Sequence, residues 1–179
     1  IFVDGSPYAL TAPAVFVEFL HSSEDFYHHY IVSSMIRLLR FISLFLTLLT
    51  PSAYIAITTF HQEIIPTPLL ISIASQREGV PFPTFIEAFL MELTFEVLRE
   101  AGVRMPRAIG PAISIVGALV LGQAAVEAGI ISAAMVIIVS ITAIYSFVVT
   151  NYEMSNAVRI LRFIFMVLGG FLGLYGVFI

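Results

Sequence analysis

Four long apolar runs constrain this chain more than any other feature. They cover residues 41–60, 108–128, 130–150 and 157–179. Each reaches the ~20 residues that a straight helix needs to cross the hydrocarbon of a bilayer. Composition agrees: 59% of the 179 residues are hydrophobic and 11% are charged, with a mean hydropathy of +1.01. An ordinary globular domain is roughly 45–50% apolar and about 25% charged. A soluble fold of this size cannot hide so much apolar surface, and a disordered chain is neither so apolar nor so weakly charged. The expected class is an all-α membrane protein, a multispanning helical bundle of about five crossings. It includes an amphipathic helix and a short Pro-broken segment.

Residues 1–10 place Asp4-Gly5 between short apolar runs, a hairpin signal. Residues 1–23 are therefore expected to be the end of an upstream soluble domain. Residues 24–179 are expected to be a transmembrane domain truncated at its C-terminal end, so that the chain is a piece of a longer protein. Ser22 followed by Asp25 predicts a helix start, and Pro51 predicts a kink in that helix. The segment 64–83 is broken by Pro66, Pro68, Gly79, Pro81 and Pro83. Thr84 with Glu87 at capping-box spacing opens a further helix that Gly102 should close. Ser155 or Asn156 is expected to cap the last helix.

All eight basic residues are Arg, and cytoplasmic ends carry the excess of positive charge. This predicts cytoplasmic Arg40, Arg77, Arg104 and Arg159, with His61 and Gly129 outside. The short segment 64–76 then has to cross the membrane, and helix 84–101 lies along the inner interface or inside the protein.

On helix 84–101, Glu92, Glu96 and Glu100 recur every four residues and share a face, with Ile86, Leu90, Leu93, Val97 and Leu98 opposite. Two readings stand: a solvated face of an interfacial helix, or an acidic lining of a water-filled path. The spacing assigns Glu87 to capping. Gln123 and Glu127, also four apart, are further candidates for a polar path, or mark the outer end of their span. Gly110, Ser114, Ala118 and Gly122 form a small-residue face, echoed by Gly169 and Gly173, that permits close helix approach in lipid.

The four His residues form no ligand set, Cys is absent, and no nucleotide-binding glycine loop or hydrolase motif occurs. No metal, cofactor or catalytic residue is expected, and the net charge of −4 offers no surface for nucleic acid. The chain is read as not an enzyme. The expected partners are membrane lipid and further copies of the chain.

The stretch from Thr58, with its runs PTPLL, QREGVPFP, ELTFE and LREAGVR, resembles the membrane domain of the spore germination A-subunit family of the GerA type. The opening runs VDGSPYAL and SSEDFYHHY resemble the end of that family's N-terminal soluble region. The related SpoVA-associated F protein shares these motifs. The resemblance implies a subunit of a nutrient-sensing germinant receptor in the inner membrane of bacterial endospores. It also implies work with a transporter-like B subunit and a lipoprotein C subunit, as an oligomeric ion channel. The alternative is a secondary transporter of a small solute or ion, with segment 64–83 as its discontinuous binding helix. A scaffold for the B and C subunits is a third reading.

Overall fold

The computed structural model describes residue 13 and residues 15–104, 110–149 and 152–178. The hairpin expected at 1–10 lies outside the described residues. Among the described residues all regular structure is helical: α1 (Tyr30–Phe60), α2 (Thr67–Arg77), α3 (Thr84–Arg104), α4 (Gly110–Glu127), α5 (Ala133–Val148), α6 (Tyr152–Leu172) and α7 (Leu174–Phe178), with short 3₁₀ turns before and after α1.

Long helices pack side by side, and their contacts give their directions. α1 and α6 run parallel: Ser52 meets Gly169, and Phe60 meets Gly173. α3 runs antiparallel to α6, with Phe85 near Phe171 and Phe89 edge-on to Phe163 at 5.5 Å. α3 runs parallel to α5, because Glu87 reaches Ser132 at the start of α5 and Arg99 reaches Ser146 near its end. The bundle therefore has an Arg40 end and a His61 end, and α3 traverses it from the second to the first. The central core joins Ile55, Ala88, Ile131, Met135, Val139 and Met166. A smaller cluster of Leu20, Leu44, Val149 and Val158 closes the Arg40 end.

Polarity is distributed inside out. Leu38, Ile86, Leu93, Val97, Ile137, Ile144, Phe147, Ile160 and Phe171 are exposed, whereas Ser43, Thr47, Ser52, Glu87, Glu92, Thr142, Ser146 and Arg162 are buried. The buried hydroxyls spend their donors on their own helices: Thr47 on the Ser43 carbonyl (2.7 Å), Ser52 on Leu49 (2.9 Å) and Thr142 on Ile138 (2.8 Å). Such a molecule suits hydrocarbon better than water. Two helical segments, Tyr30–Phe60 and Met154–Leu172, are long and apolar enough to cross a membrane, and the apolar Ala133–Val148 is shorter.

Several expectations need correction. Gly129 and Arg77 do not face opposite sides: a Cβ on Gly129 would stand 3.4 Å from the Gly79 carbonyl, and Arg77 lies 3.9 Å from Glu87 at the same end. The helix in segment 64–76 is not long enough to cross by itself. As an 11-residue helix, α2 is about 16 Å long, half of a ~30 Å hydrocarbon layer. The traverse is made by α3, and its apolar residues Ile86, Leu90, Leu93 and Val97 point outward while Glu87 and Glu92 point in. α3 continues two residues past Gly102, to Arg104. Ser22 and Asp25 close only a single 3₁₀ turn, the Ser22 amide donating to Asp25 Oδ2 (3.1 Å), and α1 begins at Tyr30. Ser155 and Asn156 lie inside α6, not at its cap, and the last run is interrupted at Gly173, whose φ of 64° ends α6.

The segment before α1 is fastened to it by charge. Arg40 Nη1 donates to Asp25 Oδ2 (2.6 Å) and to the Leu20 carbonyl (3.2 Å), and Ser33 Oγ donates to the Asp25 carbonyl (2.6 Å). The Arg40 hydrogen bond outweighs the opposing effect of burial and lowers the Asp25 pKa from the ordinary 3.8 to about 2.

Two predictions follow from the packing and the clamp. A Cβ at Gly169 would sit 2.8 Å from the Ser52 backbone oxygen, which cannot yield, whereas at Gly122 it meets only Val136 Cγ1 at 3.3 Å. Gly169→Ala is expected to cost about 1–3 kcal/mol and Gly122→Ala less than half of that, by thermal unfolding in detergent. Equal losses would show that the α1–α6 approach is not tight. The Asp25 carboxylate is favoured in the fold, so its contribution is complete above pH ~4 and disappears as pH falls through about 2. The gap in unfolding temperature between the native chain and Asp25→Asn should close over that window. A gap that stays constant down to pH 2 would refute the clamp.

Candidate functional site

Charged residues in a low-dielectric interior persist only when paired, and among the described residues two such groups lie beyond the Asp25–Arg40 clamp. The larger lies between α3, α5 and α6. Glu92 and Glu96 are one turn apart on α3, and Arg159 and Arg162 are three apart on α6. Because the helices are antiparallel, the two pairs meet in register. Arg162 contacts Glu92 through Nη1 and donates to Glu96 Oε1 through Nη2 (2.7 Å), while Arg159 Nε stands 2.9 Å from Glu96 Oε2. Arg99 lies 3.9 Å from Glu96, donates to Ser146 Oγ (2.6 Å), and lies over the Phe147 ring at 4.9 Å. The Glu92 and Arg162 side chains are 0% and 1% exposed. Two carboxylates and three guanidinium groups thus bind three helices together with one positive charge in excess.

The smaller group lies toward the His61 end. Glu87 is fully buried and accepts from the backbone N–H and the hydroxyl of Ser132, the N-cap of α5. Arg77 is its nearest cation, at 3.9 Å. Capping of α3, the role its spacing suggested, is not what this side chain does. It ties α3 to α5.

The other sequence-predicted residues fall elsewhere. Glu100 is exposed and pairs with Arg104 at 2.8 Å, apart from Glu92 and Glu96. Gln123 and Glu127 are exposed on α4 and hydrogen-bonded to each other at 3.0 Å. Gly122 is buried against Val136, Gly169 against Ser52, and Gly173 against Phe60 and His61. Gly110, Ser114 and Ala118 belong to α4. Among the described residues no group of three His, Cys, Asp or Glu could hold a metal ion.

Arg159 and Arg162 were legible only as orientation signals. Their i,i+3 spacing within an apolar run, facing two carboxylates at i,i+4 on another helix, was the signal that could have paired them. Nothing in the spacing singled out Ser132.

A bundle that is helical throughout its described residues, with an apolar exterior and an ion-paired interior, defines the class: a membrane-type helical protein. The chain belongs to the Bacillus/Clostridium GerA spore germination protein family, whose sequence profile matches residues 1–179. It is 56% identical over 176 residues to spore germination protein KA of Bacillus subtilis (strain 168), covering 98% of this chain and 32% of that protein. It is 48% identical over 177 residues to spore germination protein B1 of the same strain, covering 99% of this chain and 37% of that protein. It is 47% identical over 177 residues to GerLA of Bacillus cereus, covering 99% and 36%. The chain spans about a third of the length of these curated relatives. No solved structure matches it. The family expected from the motifs after Thr58 is thus the family found.

Removing one member of a buried ion pair strands the other. Arg162→Met is expected to cost about 3–5 kcal/mol in detergent unfolding. Adding Glu92→Leu should recover at least 1 kcal/mol, because one stranded carboxylate is removed. Strict additivity of the two substitutions would show that Glu92 and Arg162 do not share one network.

Proposed function

We propose that this chain is membrane-embedded sequence of a germinant-receptor A subunit. The receptor lies in the inner membrane of the spore, crosses it several times, and triggers germination when nutrient is sensed. Copies assemble with one another and with a transporter-like B subunit and a lipoprotein C subunit, and together they form an ion channel. Family membership and the names of the relatives support the germination role. The observation that carries the channel reading is the acidic row on α3, a helix that traverses the bundle with its carboxylates turned away from its apolar face.

Glu92 and Glu96 are held by α6 in the arrangement described here, so the path they would line is closed. Opening requires the arginines of α6 to part from α3. Freed carboxylates would concentrate cations, with Glu100, Gln123 and Glu127 extending the polar route toward its mouths. The alternative, a secondary transporter with segment 64–83 as its discontinuous binding helix, would call for an internal repeat of spans, and the sequence carries none.

The test is cation flux through the full receptor reconstituted in liposomes, together with germination of spores. Glu92→Gln combined with Glu96→Gln at native abundance is expected to lower flux at least fivefold and to slow germination. Native flux and native germination would remove α3 from the conduction path.

A further inference from the structure

α2 does not pack flat on the bundle. Between it and the last turns of α1 lies a cavity of about 320 Å³, lined by Thr58, Gln62, Leu70, Ile73, Ala74 and Arg77. That volume is at the small end of the range for ligand pockets. One wall is apolar, formed by Leu70, Ile73 and Ala74 of α2. The polar groups facing α2 already have partners: Thr58 Oγ1 of α1 donates to the Tyr54 carbonyl (2.7 Å), and Gln62 Nε2, in the 3₁₀ turn after α1, donates to the Thr58 carbonyl (2.8 Å).

Arg77 differs. Its Nε is buried without a hydrogen-bond partner, and its nearest carboxylate oxygen, on Glu87, is 3.9 Å away. That distance offsets charge but satisfies no N–H, since a charge-assisted bond closes to about 2.7–2.9 Å. A partly exposed guanidinium with one buried, unpartnered N–H beside an apolar wall calls for an acceptor that brings a short apolar body.

We infer that the cavity between α1 and α2 binds a small amphipathic anion, a carboxylate or phosphate group on a short apolar chain, with Arg77 as its counter-ion. The anionic group lies against Arg77, and the chain lies along Leu70, Ile73 and Ala74. This assignment is independent of the conduction path. It does connect the cavity to the bundle, because Arg77 also faces Glu87, which holds α3 to Ser132 at the start of α5.

The anion could come from solution or from a lipid headgroup, and two membranes separate these sources. The full-length protein is placed in nanodiscs of neutral phosphatidylcholine and titrated with sodium hexanoate, with hexylamine as control. Hexanoate is expected to raise the unfolding temperature saturably and hexylamine to leave it unchanged. Arg77→Gln should weaken the hexanoate response at least tenfold. Ala74→Phe keeps the arginine but fills the cavity, and should abolish the response even if Arg77→Gln proves poorly folded. In phosphatidylglycerol nanodiscs, a lipid occupant would itself stabilise the native protein relative to Ala74→Phe and suppress the hexanoate response. A solution occupant would leave that response intact. The inference is overturned if Ala74→Phe responds to hexanoate like the native protein, or if neither hexanoate nor phosphatidylglycerol stabilises the native protein over Ala74→Phe.

Discussion

The contact between Arg162 and the carboxylates of Glu92 and Glu96 is the constraint on which the bundle depends. An isolated charge in a low-dielectric interior costs several kcal/mol, and neither Glu92 nor Arg162 has solvent to fall back on. The cost is offset only when α3 and α6 lie antiparallel in one register. A slip of one turn in one direction would set Arg162 opposite Phe89 without a carboxylate; in the other it would set Glu96 opposite Phe163. The aromatic pairs Phe85–Phe171 and Phe89–Phe163 continue the same seam toward the His61 end, where hydrocarbon packing takes over from charge. Apolar packing alone tolerates sliding, and the ion pairs do not.

The inside-out distribution of polarity has the same origin. Where the solvent is hydrocarbon, burying leucine gains little, and helices are held by close approach and polar contact instead. Gly169 lets α6 lie against the Ser52 backbone, and Gly170 leaves room for the ring of Phe85. The hydroxyls of Thr47, Ser52 and Thr142 are satisfied within their own helices and so can face the interior without an external partner. Ser132 and Ser146 do more, since they receive Glu87 and Arg99 and make α5 the third side of the polar interior.

Much of this was legible in the sequence. The all-helical class, the long apolar helices and the turn at Gly129 follow from hydropathy and from the residues that break it. The family follows from motifs. The direction in which α3 faces did not follow. Its charges suggested water, because a helix pattern records which residues share a face but not what that face meets. The partner charges sit 66 residues away in the Glu96–Arg162 pair, beyond any local period. Arg77 misled for a related reason: counted as a free positive end, it placed α2 across the membrane, whereas the structure puts it beside Glu87. The carboxylates at i,i+4 and arginines at i,i+3 held the pairing in principle, and only the antiparallel register brings them together.

That separation of 66 residues also has a consequence in time. At a synthesis rate of about 5–20 residues per second, roughly 3–13 s pass between emergence of Glu96 and emergence of Arg162. During that interval α3 carries carboxylates with no cation able to reach them from α6, and Arg99 of its own helix is the cation beside Glu96. α3 is therefore complete before the arginines that pair its carboxylates exist. The order in which the helices are made thus differs from the order in which their charges can pair, and the contact between α3 and α6 closes only once α6 is complete.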